Sequence, residues 1–183
     1  MVGRLFLIVG NSGSGKDSIL EYAADHWDDT RRDLIVPKRY ITRPASPDTE
    51  DYHSVTRDEY EQMDTAGDFF LGWESYGILY GVHRDVLRDI EKGKLAIVNV
   101  SRQIIEESKK RFPTMKIIFV WVPLELTIQR IKDRGRENEE QMHKRIQRAR
   151  KNQDLPGADF IIENTGTIEE AGSALIEYLV SFC

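Results

Sequence analysis

Cysteine is almost missing from this chain of 183 residues: Cys183 stands alone. That excludes an intrachain disulfide and any cysteine-built zinc cluster, and it suits a reducing, cytoplasmic setting. Long apolar runs are missing as well. The run at residues 5–9 is far too short for a signal segment or a membrane span, and no other stretch approaches the ~18 consecutive apolar residues that a span needs. A dominant charge of either sign is also lacking. With 26 Lys and Arg against 31 Asp and Glu, interspersed to a net −5, the field of the whole protein does not favour nucleic acid or an anionic membrane, so any anion site has to be local. Low-complexity tracts and repeats of solenoid period are absent too. What remains is one ordinary domain, large enough to bury a core of its own, of an oligomeric state the sequence does not give.

Apolar segments rich in β-branched residues recur at 5–9, 95–100, 116–122 and 160–162. Amphipathic or helix-favouring segments lie between and after them, at 17–26, 84–92, 102–111, 125–132, 139–152 and 168–182. This alternation predicts an α/β fold with a parallel sheet flanked by helices. Residues 39–81 differ in character, being polar and aromatic-rich with Pro44, Pro47, Gly67, Gly72 and Gly77. They predict a small inserted substrate lobe with short strands and one helix near 56–66, opened by a capping box at Thr56 and Glu59. Phe69, Phe70, Trp73 and Tyr76 are expected to form its core. A third segment, about 130–150, is crowded with arginines.

The chemistry starts at Gly10-Asn11-Ser12-Gly13-Ser14-Gly15-Lys16, which matches G-x-x-x-x-G-K directly after a predicted buried strand and before a predicted helix. In that context the glycines let backbone N–H groups converge on phosphates, the helix N-terminus adds a favourable dipole, and Lys16 reaches the β- and γ-phosphates. A nucleoside triphosphate is therefore the expected ligand, with Ser18 in the same binding segment. The next position, where a hydroxyl normally serves Mg2+, holds Asp17. Its carboxylate is either a ligand for the hard Mg2+ cation or a negative charge that supports the helix N-terminus, with Ser18 or water serving the metal.

Five segments together, Gly10 to Ser18, Arg-Tyr-Ile-Thr-Arg-Pro-Ala-Ser at 39–46, Leu-Tyr-Gly-Val at 79–82, Val-Asn-Val-Ser-Arg at 98–102 and Arg-Gly-Arg-Glu-Asn at 134–138, resemble the ribose 1,5-bisphosphate phosphokinase family. The resemblance runs over almost the whole chain. That family, within the wider guanylate kinase group, forms 5-phosphoribosyl 1-diphosphate from ATP and ribose 1,5-bisphosphate in connection with phosphonate breakdown. The resemblance implies a P-loop core, a lid and a small acceptor region. Guanylate kinase itself is the competing reading, supported by Thr42-Arg43 and by Asp51-Tyr52-His53. Against it, Gly72 stands where that family reads guanine with Glu, Val82 stands where it has Ser, and Asn99 and Ser101 replace its Asp-x-Asp pair. A buried site loses much of its hold on a base when such partners are missing. A non-catalytic module that binds phosphorylated peptides is a third reading, opposed by the intact Gly15-Lys16 loop and the lid.

A sugar bisphosphate calls for phosphate ligands, and Arg39, Arg43 and Arg102 have the donors for it. Arg39 and Arg102 otherwise read as solvated surface charges. Tyr52 and Tyr80 either offer hydroxyls to the acceptor or pack the small lobe; Asn99 and Ser101 complete the candidate acceptor set. In the arginine-rich lid, Arg134 and Arg136 flank Gly135 in a hinge-like turn and Arg145 follows on the next helix. The positions of Arg134 and Arg145 match the guanylate kinase lid, and Arg136 is shared with the ribose-bisphosphate family. With Lys16 these form the expected catalytic set, bringing positive charge to the transferring phosphoryl on closure. Arg130, Lys132, Lys144, Arg148, Arg150 and Lys151 read as solvated helix faces. Asn164, after the last strand, is a candidate contact to adenine.

Overall fold

The computed structural model describes residues 3–28, 30–44, 51–134 and 139–183. The α/β expectation holds. Five parallel strands form the main sheet in the order β2-β7-β1-β8-β9, built from β1 (Arg4–Gly10), β2 (Leu34–Ile35), β7 (Leu95–Asn99), β8 (Lys116–Trp121) and β9 (Phe160–Glu163). Helices flank it. A second sheet of four strands, in the order β4-β3-β6-β5, comprises β3 (Arg39–Ile41), β4 (Tyr52–Ser54), β5 (Phe69–Ser75) and β6 (Ile78–His83). The chain divides into two compact units, one of residues 1–5 and 32–115, the other of residues 6–31 and 116–183.

In the second of these units, β1 runs beside β8, pairing Phe6 with Lys116 through to Gly10 with Val120, and β8 runs beside β9. Phe6, Leu7, Ile8 and Val9 are wholly buried, as continuous apolar runs in parallel sheets require. Each such side chain contributes about 1.5–3 kcal/mol on burial. Helix α1 (Lys16–Asp25) buries Ile19, Leu20 and Ala23 and packs on α7 (Ile168–Val180), where Gly172 lies against the ring of Tyr22. A capping box of Thr167 and Glu170 opens α7. Helices α5 (Leu124–Arg134) and α6 (Glu139–Lys151) complete this unit. No helix among the described residues is long and apolar enough to cross a membrane.

The other unit holds the second sheet, the β2-β7 pair and the helices α2 (Arg57–Thr65), α3 (Asp85–Glu91) and α4 (Ile105–Arg111). The capping box at Thr56 and Glu59 is present as expected: the Glu59 N–H donates to Thr56 Oγ1 at 3.2 Å and the Thr56 N–H donates to Glu59 at 2.7 Å. Phe70 and Trp73 are buried in this lobe. Tyr76, expected beside them, is not. It stands at the two-residue turn between β5 and β6 with φ 54 and is 46% exposed. The turn needs positive φ at this position, and a turn tip faces solvent, which takes the ring out of the core.

Candidate active site

The phosphate-binding loop sits between β1 and α1. Gly13 and Gly15 adopt φ of 80 and 84, a left-handed conformation that costs other residues roughly 1–2 kcal/mol. Gly10 is fixed by space instead: a Cβ there would lie 2.6 Å from Ser14 Oγ and 2.7 Å from the Val120 carbonyl. The Lys16 ammonium is half-buried and donates to the Gly10 carbonyl at 3.0 Å, the Asn11 carbonyl at 3.1 Å and Ser14 Oγ at 3.3 Å. Phosphate oxygens offer the same ammonium charged acceptors, which form stronger bonds than neutral carbonyls do.

Around this loop the structure brings together residues far apart in sequence. Arg145 of α6 donates to Ser12 Oγ at 2.8 Å. Asn11 donates its side-chain amide to the Asn152 carbonyl at 3.0 Å and to the Ala149 carbonyl at 3.3 Å. Asn164, 1% exposed, donates Nδ2 to the Ser14 carbonyl at 2.8 Å. A Cβ on Gly15 would run into that same amide nitrogen. Asn164 thus meets the loop backbone directly. Its Oδ1 is buried without a hydrogen-bond partner among the described residues.

Asp17 lies in the first turn of α1, half-buried, and Ser18 beside it is exposed. No group of three or more His, Cys, Asp or Glu among the described residues is placed to cage a metal. A single carboxylate is nevertheless compatible with Mg2+, which is usually held by one or two carboxylates together with the phosphates of its substrate.

The expected acceptor residues gather in the other unit. Arg39 on β3 donates to the Asn99 carbonyl at 3.3 Å, and its guanidinium lies 6.0 Å from the ring centroid of Tyr80 on β6. Tyr80 stacks on Trp73 with the centroids 5.3 Å apart and the planes 2° from parallel. Arg43 donates Nε to Tyr52 Oη at 3.3 Å and lies 4.9 Å over that ring, while Tyr52 donates to the Pro44 carbonyl at 2.7 Å. Asn99 is buried at the end of β7, and Ser101 and Arg102 follow half-buried at the start of a 3₁₀ turn. Val82 is wholly buried and belongs to the core.

The model of the guanylate kinase family matches residues 2–181. The chain belongs to that family. Among curated relatives, the ribose 1,5-bisphosphate phosphokinase PhnN of Thiobacillus denitrificans is 34% identical over 177 residues, covering 97% of this chain and 93% of that protein. The PhnN of Acidiphilium cryptum is also 34% identical, over 178 residues, again covering 97% of this chain and 93% of that protein. The bifunctional ribose 1,5-bisphosphokinase-thymidine phosphorylase of Roseobacter denitrificans is 38% identical over the whole chain, which spans 27% of that longer protein. Among solved structures, the guanylate kinase of Anaplasma phagocytophilum superposes with a TM-score of 0.71 at 20% identity, covering 98% of this chain and 86% of that one. That likeness shows a shared fold.

Of the expected lid residues, Arg145 is at the loop. Arg136 and the side chain of Arg134, by contrast, lie outside the described residues. Arg130, expected on a solvated face, is instead half-buried and donates Nη1 to the Gly13 carbonyl at 3.5 Å and Nη2 to the Asn164 carbonyl at 3.4 Å. Its position on the inner side of α5, three residues after buried Thr127 and next to buried Ile131, was the available signal. Lys144 does behave as a face residue, paired with Glu140 at 2.6 Å. Tyr60 is a further residue that the sequence pattern does not single out. It is 5% exposed, it donates to the Tyr80 carbonyl at 2.8 Å, and burial, with Asp64's charge adding, pushes its phenol up to about 12.

Proposed function

We propose that this chain, working as one kinase domain, transfers the γ-phosphoryl group of ATP to ribose 1,5-bisphosphate, giving ADP and 5-phosphoribosyl 1-diphosphate. The observation that carries the choice of acceptor is the makeup of the acceptor region: Arg39 lies by the Tyr80 ring and Arg43 by Tyr52, with a glycine at 72. A carboxylate at that position is what a guanine ring would need for its N–H donors. Relatives named as ribose 1,5-bisphosphate phosphokinases, matched over nearly their full length, support the same choice.

In this reading Lys16 and the loop N–H groups hold the β- and γ-phosphates, and Asp17 holds Mg2+ with them. Bound Mg2+ supplies charge neutralisation at the phosphate oxygens. Arg39, Arg43 and Arg102 grip the two acceptor phosphates, with Tyr80 donating a hydroxyl hydrogen bond, Tyr52 holding Arg43 beside them, and Asn99 and Ser101 facing the sugar. An oxygen of the acceptor's 1-phosphate attacks the γ-phosphorus as the bond to the β-phosphate oxygen breaks. That oxygen is already ionised, so no strong base is required and stabilisation of charge dominates. Arg145, together with Arg134 and Arg136, supplies that stabilisation.

The test offers ribose 1,5-bisphosphate and GMP separately to one preparation with ATP and Mg2+, and the products are resolved by chromatography. The expected result is 5-phosphoribosyl 1-diphosphate with little or no GDP. Robust GDP and no 5-phosphoribosyl 1-diphosphate overturns the proposal in favour of guanylate kinase activity.

A further inference from the structure

We propose that Asn11 is a positioning residue: its side chain fastens the C-terminal end of α6, the helix that carries Arg145, to the phosphate-binding loop. The inference deepens the kinase reading and rests on it for its catalytic consequence.

The last carbonyls of any helix have no following turn to donate to them. At the end of α6 the Ala149 carbonyl accepts from Asn152 N–H at 3.2 Å, from Gln153 Nε2 at 2.6 Å and from Asn11 Nδ2 at 3.3 Å, and the Asn152 carbonyl accepts from Asn11 Nδ2 at 3.0 Å. Asn11 therefore supplies a cap from 138 and 141 residues away in sequence. Residues 145, 149 and 152 are spaced i, i+4 and i+7, so they share one face of the helix and its continuation. That face carries the bond from Arg145 to Ser12 at 2.8 Å. Two adjacent loop residues, Asn11 and Ser12, thus hold it at two points.

Asn11 works in the other direction too. Its own carbonyl accepts from the Lys16 ammonium and from Ser14 N–H, each at 3.1 Å. One residue therefore sets the place of the phosphate-binding lysine with its backbone and of the arginine-bearing helix with its side chain. A rigid support of this kind keeps a charged group near its productive geometry and reduces what has to be reorganised at the moment of reaction. An Asn11 that only touched nucleotide would have no effect on α6 in its absence.

The experiment uses that difference. Amide hydrogen exchange of the nucleotide-free full chain is compared between wild type, Asn11→Ala and Asn11→Asp. The Asp side chain keeps the shape but turns oxygen, not N–H, toward the two carbonyls. In both variants, exchange over residues 145–152 should quicken about tenfold or more, with β8 unchanged, since loss of a local tether lowers local opening free energy alone. In steady-state assays Asn11→Ala should lower kcat about tenfold while KM for ATP moves less than about threefold, as expected of an effect on a group used in the transition state. Gln153→Ala is the control: it removes another donor to the Ala149 carbonyl and should leave kcat within about twofold. Unchanged exchange over 145–152 in both Asn11 variants overturns the proposal, and so does a Gln153→Ala enzyme as slow as Asn11→Ala, which would make simple fraying the cause. A wild type with no turnover on any acceptor overturns the kinase reading, and the exchange result then decides the tether by itself.

Discussion

Replacing Asn164 by Ala separates two roles for a residue placed beside the nucleotide loop. The wild-type amide donates to the Ser14 carbonyl at 2.8 Å, and both residues are 1% exposed. Removing the donor leaves that carbonyl unsatisfied away from water, which costs about 1–3 kcal/mol. The same change removes the buried Oδ1, which has no hydrogen-bond partner among the described residues, and this offsets part of the loss. A net destabilisation of about 1–2 kcal/mol follows, and for a chain of this size each kcal/mol moves Tm by roughly 2–4 °C. Calorimetry of the nucleotide-free protein should show Tm lower by about 2–8 °C. Asn164→Asp should lose more, because a carboxylate would face the carbonyl with no proton to share. In activity assays Asn164→Ala should raise KM for ATP while keeping the preference for ATP over GTP, since the loop is displaced and no base contact is lost. An unchanged Tm together with a collapsed ATP preference would refute this account and make Asn164 an adenine reader.

Asp17→Asn should shift the Mg2+ dependence of turnover to higher concentration, because an amide oxygen is a weaker ligand for a hard cation than a carboxylate; an unaltered Mg2+ titration leaves Asp17 as a support of the helix N-terminus. The Tyr60 phenol, held up to about 12 in the folded chain mainly by burial, ionises at about 10 when unfolded, so its contribution to stability is full below pH 10 and is lost as pH rises through 12. Urea titrations at pH 8 to 12 should therefore show wild type falling more steeply than Tyr60→Phe across that window, and parallel curves would sink the argument.

The phosphate-binding loop was legible in the sequence because its parts are contiguous: an apolar run, three spaced glycines, a lysine and a helix. The capping box at Thr56 and Glu59 was legible for the same reason. Residues whose role depends on distant partners were not. The contacts of Arg130 with Gly13 and Asn164 span 117 and 34 residues, and the cationic residues around it on α5 and α6 share its composition without sharing its contacts. Tyr60 carries no signal in the sequence, since its bond goes to a backbone carbonyl 20 residues on. The pattern at 102–111 suggested one helix, but the structure starts it as a 3₁₀ turn at Arg102–Ile104 before α4. The two-residue strand Leu34–Ile35 is too short to carry a periodic signal and is defined only by its pairing with β7.

Gly72 and Tyr60 together bear on the choice of acceptor. A side chain at 72 has to begin with a Cβ, and that atom would lie 3.0 Å from Tyr60 Oη, tighter than an ordinary carbon to oxygen contact. The phenol would have to give by a few tenths of an ångström, which strains its bond to the Tyr80 carbonyl. Tyr80 stands on β6 with its ring between Trp73 and the Arg39 guanidinium, so movement there reaches the arginine proposed to grip phosphate. A glutamate at 72 therefore sets the carboxylate that guanine needs against the hydroxyl that steadies Tyr80. Under the proposed function these two requirements belong to different acceptors, and the glycine is the form compatible with the tyrosine.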